Sequence, residues 1–142
     1  MGGILMFQYD RLKKMKILLV DDNADLIDTI KLGFAAKGLS LTGVCSADEA
    51  LVLMKAQDYD IIITDYKMED IDGLEFLEQI RELPGNPIRV MISAFGTEDV
   101  VARAYDLGID DFVPKPFDEK SIEDSLIRIL EDRDNAQQAV CE

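Results

Sequence analysis

The run Asp60-Ile61-Ile62-Ile63-Thr64-Asp65 constrains the fold more than any other stretch of this chain. Its β-branched apolar core does not alternate with polar residues and is too short for a helix, so both of its side-chain rows need cover. A strand inside a sheet packed on both faces provides that cover. The run stops at Asp65 and passes into Tyr66-Lys67-Met68-Glu69-Asp70-Ile71-Asp72-Gly73, a polar turn closed by glycine. Asp65 therefore stands at the carboxyl end of a core strand, the edge of an open α/β sheet where ligands bind. Alone, it would only start a turn, so its meaning depends on what the other strands deliver beside it.

Two further apolar runs end in the same way. Ile17-Leu18-Leu19-Val20 is closed by Asp21-Asp22-Asn23, and Ile88 to Ile92 by Ser93-Ala94-Phe95-Gly96. Leu39, Leu41 and Gly43 alternate with Ser40, Thr42 and Val44, which suits a less buried strand near an edge. Asp111-Phe112-Val113-Pro114 reads as a short fifth strand, which Pro114 assigns to an edge because it lacks a ladder donor.

Helical patterns separate the strands. Ile27, Ile30 and Phe34 recur at helical spacing up to Gly38, a C-terminal cap. Ser46-Ala47-Asp48-Glu49 is a capping box that opens a helix reaching Gln57. Asp72 starts a third helix with Leu74, Leu77 and Ile80 inward, stopped by Pro84-Gly85. Thr97, with Glu98 and Asp99 behind it, starts a fourth that ends at Gly108, and Asp118 caps a last one carrying Ile122, Leu126 and Ile129. Strict strand–helix alternation with short connections predicts an α/β fold, a parallel sheet with helices on both faces through right-handed crossovers.

The 142 residues, 48% hydrophobic, suffice for one full core and hardly two. The expected layout is an N-terminal extension over residues 1–14, one domain over 15–132 and a polar, flexible tail over 133–142. Met15-Lys16 reads as a second beginning, and the extension either packs as a short helix or stays mobile. Twenty-nine acids against fifteen bases, a formal charge of -14, argue against nucleic acid or an anionic membrane as a direct partner. No apolar run reaches the length of a membrane span and the opening residues lack a signal-peptide core, so the expected location is cytoplasmic. Cys45, in a predicted strand, and Cys141, in the tail, are not expected to pair. The chain has no histidine, which excludes Ser/His/Asp and Cys/His catalysis and leaves carboxylates as the obvious metal ligands.

A common carboxyl edge would gather Asp21 and Asp22 from the first strand, Asp65 from the third, Ser93 from the fourth and Lys115 from the fifth. Converging carboxylates repel by about 1 to 4 kcal/mol per pair at surface-like dielectric, so such a cluster calls for a cation. All-oxygen ligands favour a hard ion, and the small number of protein groups suggests Mg²⁺ completed by water.

With Val20-Asp21-Asp22-Asn23, Asp65 with Met68 and Gly73, Ser93-Ala94, and Gly108-Ile109-Asp110-Asp111-Phe112-Val113-Pro114-Lys115-Pro116-Phe117, the chain resembles a response-regulator receiver domain of two-component signalling, of the single-domain type, from about Lys16 to Asp132. The resemblance implies a flavodoxin-like (βα)5 receiver fold with a five-stranded sheet in the order 2-1-3-4-5. It implies that Asp65 is the phosphoacceptor. Asp22 and Asp65 would hold Mg²⁺ directly, Asp21 through water, and the Lys67 backbone carbonyl would complete the protein ligands. Lys115 and the Ser93 hydroxyl would contact the phosphoryl oxygens, Ser93 and Phe112 would form the switch, and the Lys115–Pro116 bond would be cis.

Aspartyl phosphorylation also makes chemical sense from the residues, since phosphoryl transfer asks a protein for alignment and charge neutralisation. A phosphohistidine donor must lie on another protein, a sensor histidine kinase or phosphotransfer protein. The resemblance further implies self-catalysed phosphorylation, slow autodephosphorylation and signalling to a downstream protein through the face of the fourth helix, fifth strand and last helix. It leaves open a monomer or a phosphorylation-dependent dimer. Glu69 stands where the family usually has proline and Ile71 where it often has methionine. Lys67 and Phe95, two residues after Asp65 and Ser93, border the site, where Lys67 could tune dephosphorylation and Phe95 could shield the acyl phosphate. The competing readings are an unphosphorylated receiver-like adaptor, an aspartyl-nucleophile phosphatase and a flavin carrier. The phosphatase would want an acid where Lys67 stands, and the flavin carrier a hydroxyl-rich phosphate loop where Asp21 and Asp22 stand.

Overall fold

A computed structural model describes residues 2–94, 96–115 and 118–141, with side chains described between 7 and 136. An opening helix α1 (Gly2–Lys13) precedes the alternation β1 (Ile17–Val20), α2 (Ala24–Ala36), β2 (Leu41–Val44), α3 (Ala47–Ala56), β3 (Ile61–Asp65), α4 (Gly73–Arg81), β4 (Ile88–Ser93), α5 (Glu98–Asp106), β5 (Asp111–Pro114) and α6 (Glu119–Cys141). All strand pairs are parallel, in the order β2-β1-β3-β4-β5. The last two predicted helices are thus α5 and α6. No helix among the described residues is long and apolar enough to cross a membrane.

Each central strand feeds two cores, which is why β1 and β3 carry no alternation. Ile17, Leu19, Ile61, Ile63 and Val90 pack with Phe34 of α2 and Leu126 of α6, while Leu18, Val20, Ile62 and Met91 pack with Phe76 and Leu77 of α4. Phe76, fully buried, is a core residue that the spacing of Leu74, Leu77 and Ile80 did not reveal; Leu74 is only half-buried.

Most element boundaries follow local chemistry. Asn23, Ser46, Asp72 and Thr97 each accept a first-turn backbone N–H, from Leu26, Glu49, Glu75 and Val100. In the predicted capping box, Glu49 reaches the Cys45 N–H (2.9 Å), one residue before the cap. Gly38, at φ +79°, closes α2 with its N–H on Ala35 O and the Leu39 N–H on Phe34 O, a Schellman pairing. That pairing takes Leu39 into the helix ending, so β2 starts at Leu41. Cys45 follows β2 as an exposed free thiol.

Both ends of the described chain are helical. The extension is helical: Leu12 is fully buried in the core beside Leu126 and Leu130, and Gln8 is 3% exposed. The polar stretch from Asp132 was expected to fray into a tail, but α6 continues to Cys141. Tertiary partners hold Arg133 and Asp134. Arg11 Nη1 meets Asp134 Oδ2 at 2.7 Å, and Arg133 donates to Asn86 O at 3.1 Å and Asp110 Oδ2 at 3.2 Å. Deeper in the same layer, buried Glu123 of α6 receives Lys37 and the Tyr9 hydroxyl on Oε2. Burial and the Glu123 charge push the Tyr9 hydroxyl pKa up.

If α1 belongs to the core, Leu12→Ala should destabilise the protein by about 2–5 kcal/mol, whereas Leu32→Ala, at a 73% exposed position, should change stability by about 0.5 kcal/mol or less. Urea unfolding of both variants checks this; equal, small losses would mean that α1 is dispensable.

Candidate functional site

Strand register brings the chemistry to one edge. Val20 pairs with Thr64, Asp65 with Ile92 and Ser93 with Pro114, so Asp21, Asp65, Ser93 and Lys115 leave neighbouring strands at nearly one level. One oxygen from each of Asp21, Asp22 and Asp65 lies within 4.8 Å of the others. Asp21 is fully buried, Asp65 nearly so, and Asp22 is exposed.

The two buried acids are held alike. Asp21 Oδ1 accepts the Asn23 N–H (2.9 Å) and Asp65 Oδ1 the Tyr66 N–H (2.7 Å). The Lys115 ammonium bridges their other oxygens, 3.4 Å from Asp21 Oδ2 and 3.2 Å from Asp65 Oδ2. Burial pushes the Asp21 carboxyl above its usual pKa and the Asp65 charge adds to this, while the Asn23 N–H and Lys115 oppose it. One ammonium against three carboxylates leaves an excess of negative charge. The all-oxygen donor set with one solvent-facing member fits a hard divalent cation.

The loop from β3 to α4 forms the mouth. Asp22, Asp65, Lys67, Met68 and Glu69 line a cavity of about 420 Å³. The loop closes tightly, with the Gly73 N–H on Tyr66 O at 2.6 Å. A Cβ at Gly73 would lie 2.5 Å from the Asp65 carbonyl oxygen, so glycine is required there by close approach. Met68 is buried, and Asp70 accepts the Asp48 N–H (3.0 Å) and the Ala47 N–H (3.5 Å) at the start of α3. Burial works against the Asp70 charge, but these N–H groups outweigh it and hold its carboxyl below the usual value.

Ser93, fully buried, ends β4, and its carbonyl accepts the Lys115 N–H at 2.9 Å. Phe112 stands apart from the acids. It pairs with Met91, below the level of Ser93, and its half-buried ring lies against Gly96, where a Cβ would come within 2.9 Å of Cε1. On the α5–β5–α6 side, Tyr105 is exposed, its hydroxyl 3.5 Å from Asp111, which also holds Ser125 and Arg128. Phe95 and the Lys115–Pro116 bond lie outside the described residues. The tie from Asp70 to α3 was not foreseen, because an acid in an acid-rich turn carries no mark of a partner 22 positions upstream.

Residues 17–127 match the family model for the response regulator receiver domain. Among curated proteins, the chain is 31% identical over 113 residues to the transcriptional regulatory protein ResD of Bacillus subtilis, a match covering 80% of this chain and 47% of that protein. The chain thus spans about half the length of that relative. A CheY-like receiver domain protein from Methanospirillum hungatei superposes with a TM-score of 0.79 at 20% identity, over 86% of this chain and 98% of that one, a likeness of fold. A CheY-like receiver domain from Methylobacillus flagellatus gives a TM-score of 0.70 at 29% identity, over 81% and 98%.

Repulsion among the three acids has a measurable consequence. Asp22→Asn should stabilise the metal-free protein by about 1 kcal/mol, the value for a like-charge pair near 4 Å in water-like surroundings, and that advantage should disappear when millimolar Mg²⁺ stabilises the wild type. Thermal melts with and without Mg²⁺ check both parts.

Proposed function

Because the chain belongs to the response regulator receiver domain family, we propose that it accepts a phosphoryl group on Asp65 from a phosphohistidine of a sensor histidine kinase or phosphotransfer protein, and signals the modification to a protein target. The observation that carries this reading is the convergence of Asp21, Asp22 and Asp65 with the Lys115 ammonium 3.2 Å from Asp65. Asp22, Asp65 and the Lys67 carbonyl would hold Mg²⁺, with Asp21 acting through water. The ion supplies charge neutralisation for the phosphoryl oxygens.

The protein's own groups do the remainder. An Asp65 carboxylate oxygen bonds to phosphorus as the bond to the donor imidazole nitrogen breaks, and the electron pair leaves with that nitrogen. Lys115, already on Asp65 Oδ2, follows the charge onto a phosphoryl oxygen. The Ser93 hydroxyl donates to another. Two charge-assisted hydrogen bonds at roughly 1.5–3 kcal/mol each approach the roughly 5.5 kcal/mol that inverts a two-state population. Movement of Ser93 would let Phe112 turn inward and reshape the α5–β5–α6 face, the proposed output surface. Autodephosphorylation would be slow, and the working location is the cytoplasm.

Incubation with Mg²⁺ and acetyl phosphate followed by intact-mass measurement tests the proposal. A single phosphoryl adduct is expected on the wild type, lost in Asp65→Ala and on chelation of the metal. An adduct that survives Asp65→Ala would move the acceptor elsewhere and overturn the reading.

A further inference from the structure

Among the described ionisable residues that line the mouth cavity, Glu69 is the one to which the proposed transfer gives no part. It occupies the turn position where the resemblance leads one to expect proline, and it is exposed at the rim of the 420 Å³ cavity that Asp22 and Asp65 share. Its neighbours hold it there. On one side the Met68 side chain is buried, and on the other the Asp70 carboxylate is bound to the Ala47 and Asp48 N–H groups of α3. The backbone carrying Glu69 is therefore pinned at both ends, which keeps the residue among those lining the cavity.

Glu69, Asp22 and Asp65 line one cavity of about 420 Å³, and charges within a Debye length of one another, about 8 Å at physiological ionic strength, still interact. A charge at the rim is felt by ions that come within that distance. Resting on the receiver reading, we propose that Glu69 is a specificity-determining residue: its charge strengthens divalent-cation binding and discriminates against strongly anionic free phosphodonors. Lys67 lines the same cavity with the opposite sign, so the effect is that of one charge within a mixed rim, a few-fold in affinity rather than orders of magnitude. Acetyl phosphate, a dianion, meets more repulsion than phosphoramidate, whose ammonium end leaves it singly negative. In either case an Asp65 oxygen–phosphorus bond forms while the donor's own bond to phosphorus breaks, releasing acetate from the first and ammonia from the second.

The experiment measures Mn²⁺ affinity by electron paramagnetic resonance and phosphorylation by intact mass, in the wild type, Glu69→Gln, Asp70→Ala and the double variant. Glu69→Gln should weaken Mn²⁺ binding about threefold at low salt, with the difference shrinking toward none near 1 M salt, where the Debye length is about 3 Å. At saturating metal it should speed labelling by acetyl phosphate about threefold and by phosphoramidate less, a ratio that a merely structural role would not move. Asp70→Ala, which frees the loop, should shrink the effect of adding Glu69→Gln.

Unchanged Mn²⁺ affinity in Glu69→Gln, or an effect indifferent to salt, would overturn the role of Glu69 while leaving Asp65 as acceptor. A wild type that is never phosphorylated but binds Mn²⁺ in a Glu69-dependent way would instead remove the receiver reading and the donor preference, keeping the effect on cation binding.

Discussion

Like charges held together at the ends of β1 and β3 are the constraint on which the rest of the molecule depends. Asp21 and Asp65 are carried by adjacent parallel strands whose register puts Val20 beside Thr64, so they cannot separate without breaking the sheet. Their backbone partners, Asn23 N–H and Tyr66 N–H, lock each carboxylate in place, and Lys115 spans the pair. The energy to hold them there comes from burial elsewhere, in two apolar layers that leave the central strands almost no exposed side chain. The site is thus poised for a positive ligand by a scaffold that does not yield.

The loops around that cluster differ in how they are secured. The β3–α4 loop is fixed by a glycine approach too close for any side chain, by buried Met68 and by the grip of Asp70 on α3. On the far side, the half-buried Phe112 ring rests against Gly96. Hydrogen bonds secure the loop beside the acids, whereas the Phe112 ring, apart from them, rests in van der Waals contact with Gly96.

The sheet was legible in the sequence because its physics is local. Unalternated β-branched runs signalled two-sided burial, and the acid or hydroxyl after each run marked the carboxyl edge. Asp21, Asp22, Asp65, Ser93 and Lys115 could be gathered on paper because parallel order alone brings strand ends together. Long-range side-chain partners were not legible. Arg133 and Asp134 look like tail residues until Pro87, Asp110 and Arg11 meet them, and the mixed apolar and basic pattern of α1 left its docking open. Phe76 was passed over because a helix between two neighbours buries a wider arc than a single stripe.

The backbone bond from the Lys115 N–H to the Ser93 carbonyl makes those two residues one mechanical unit, although 21 residues intervene between them. Everything between is a loop, α5, a second loop and one edge strand. So long as Ser93 and Pro114 keep their register, the exposed residues of that excursion can drift without displacing either group. The charged cluster at the sheet edge is thereby insulated from divergence of the exposed surface beside it.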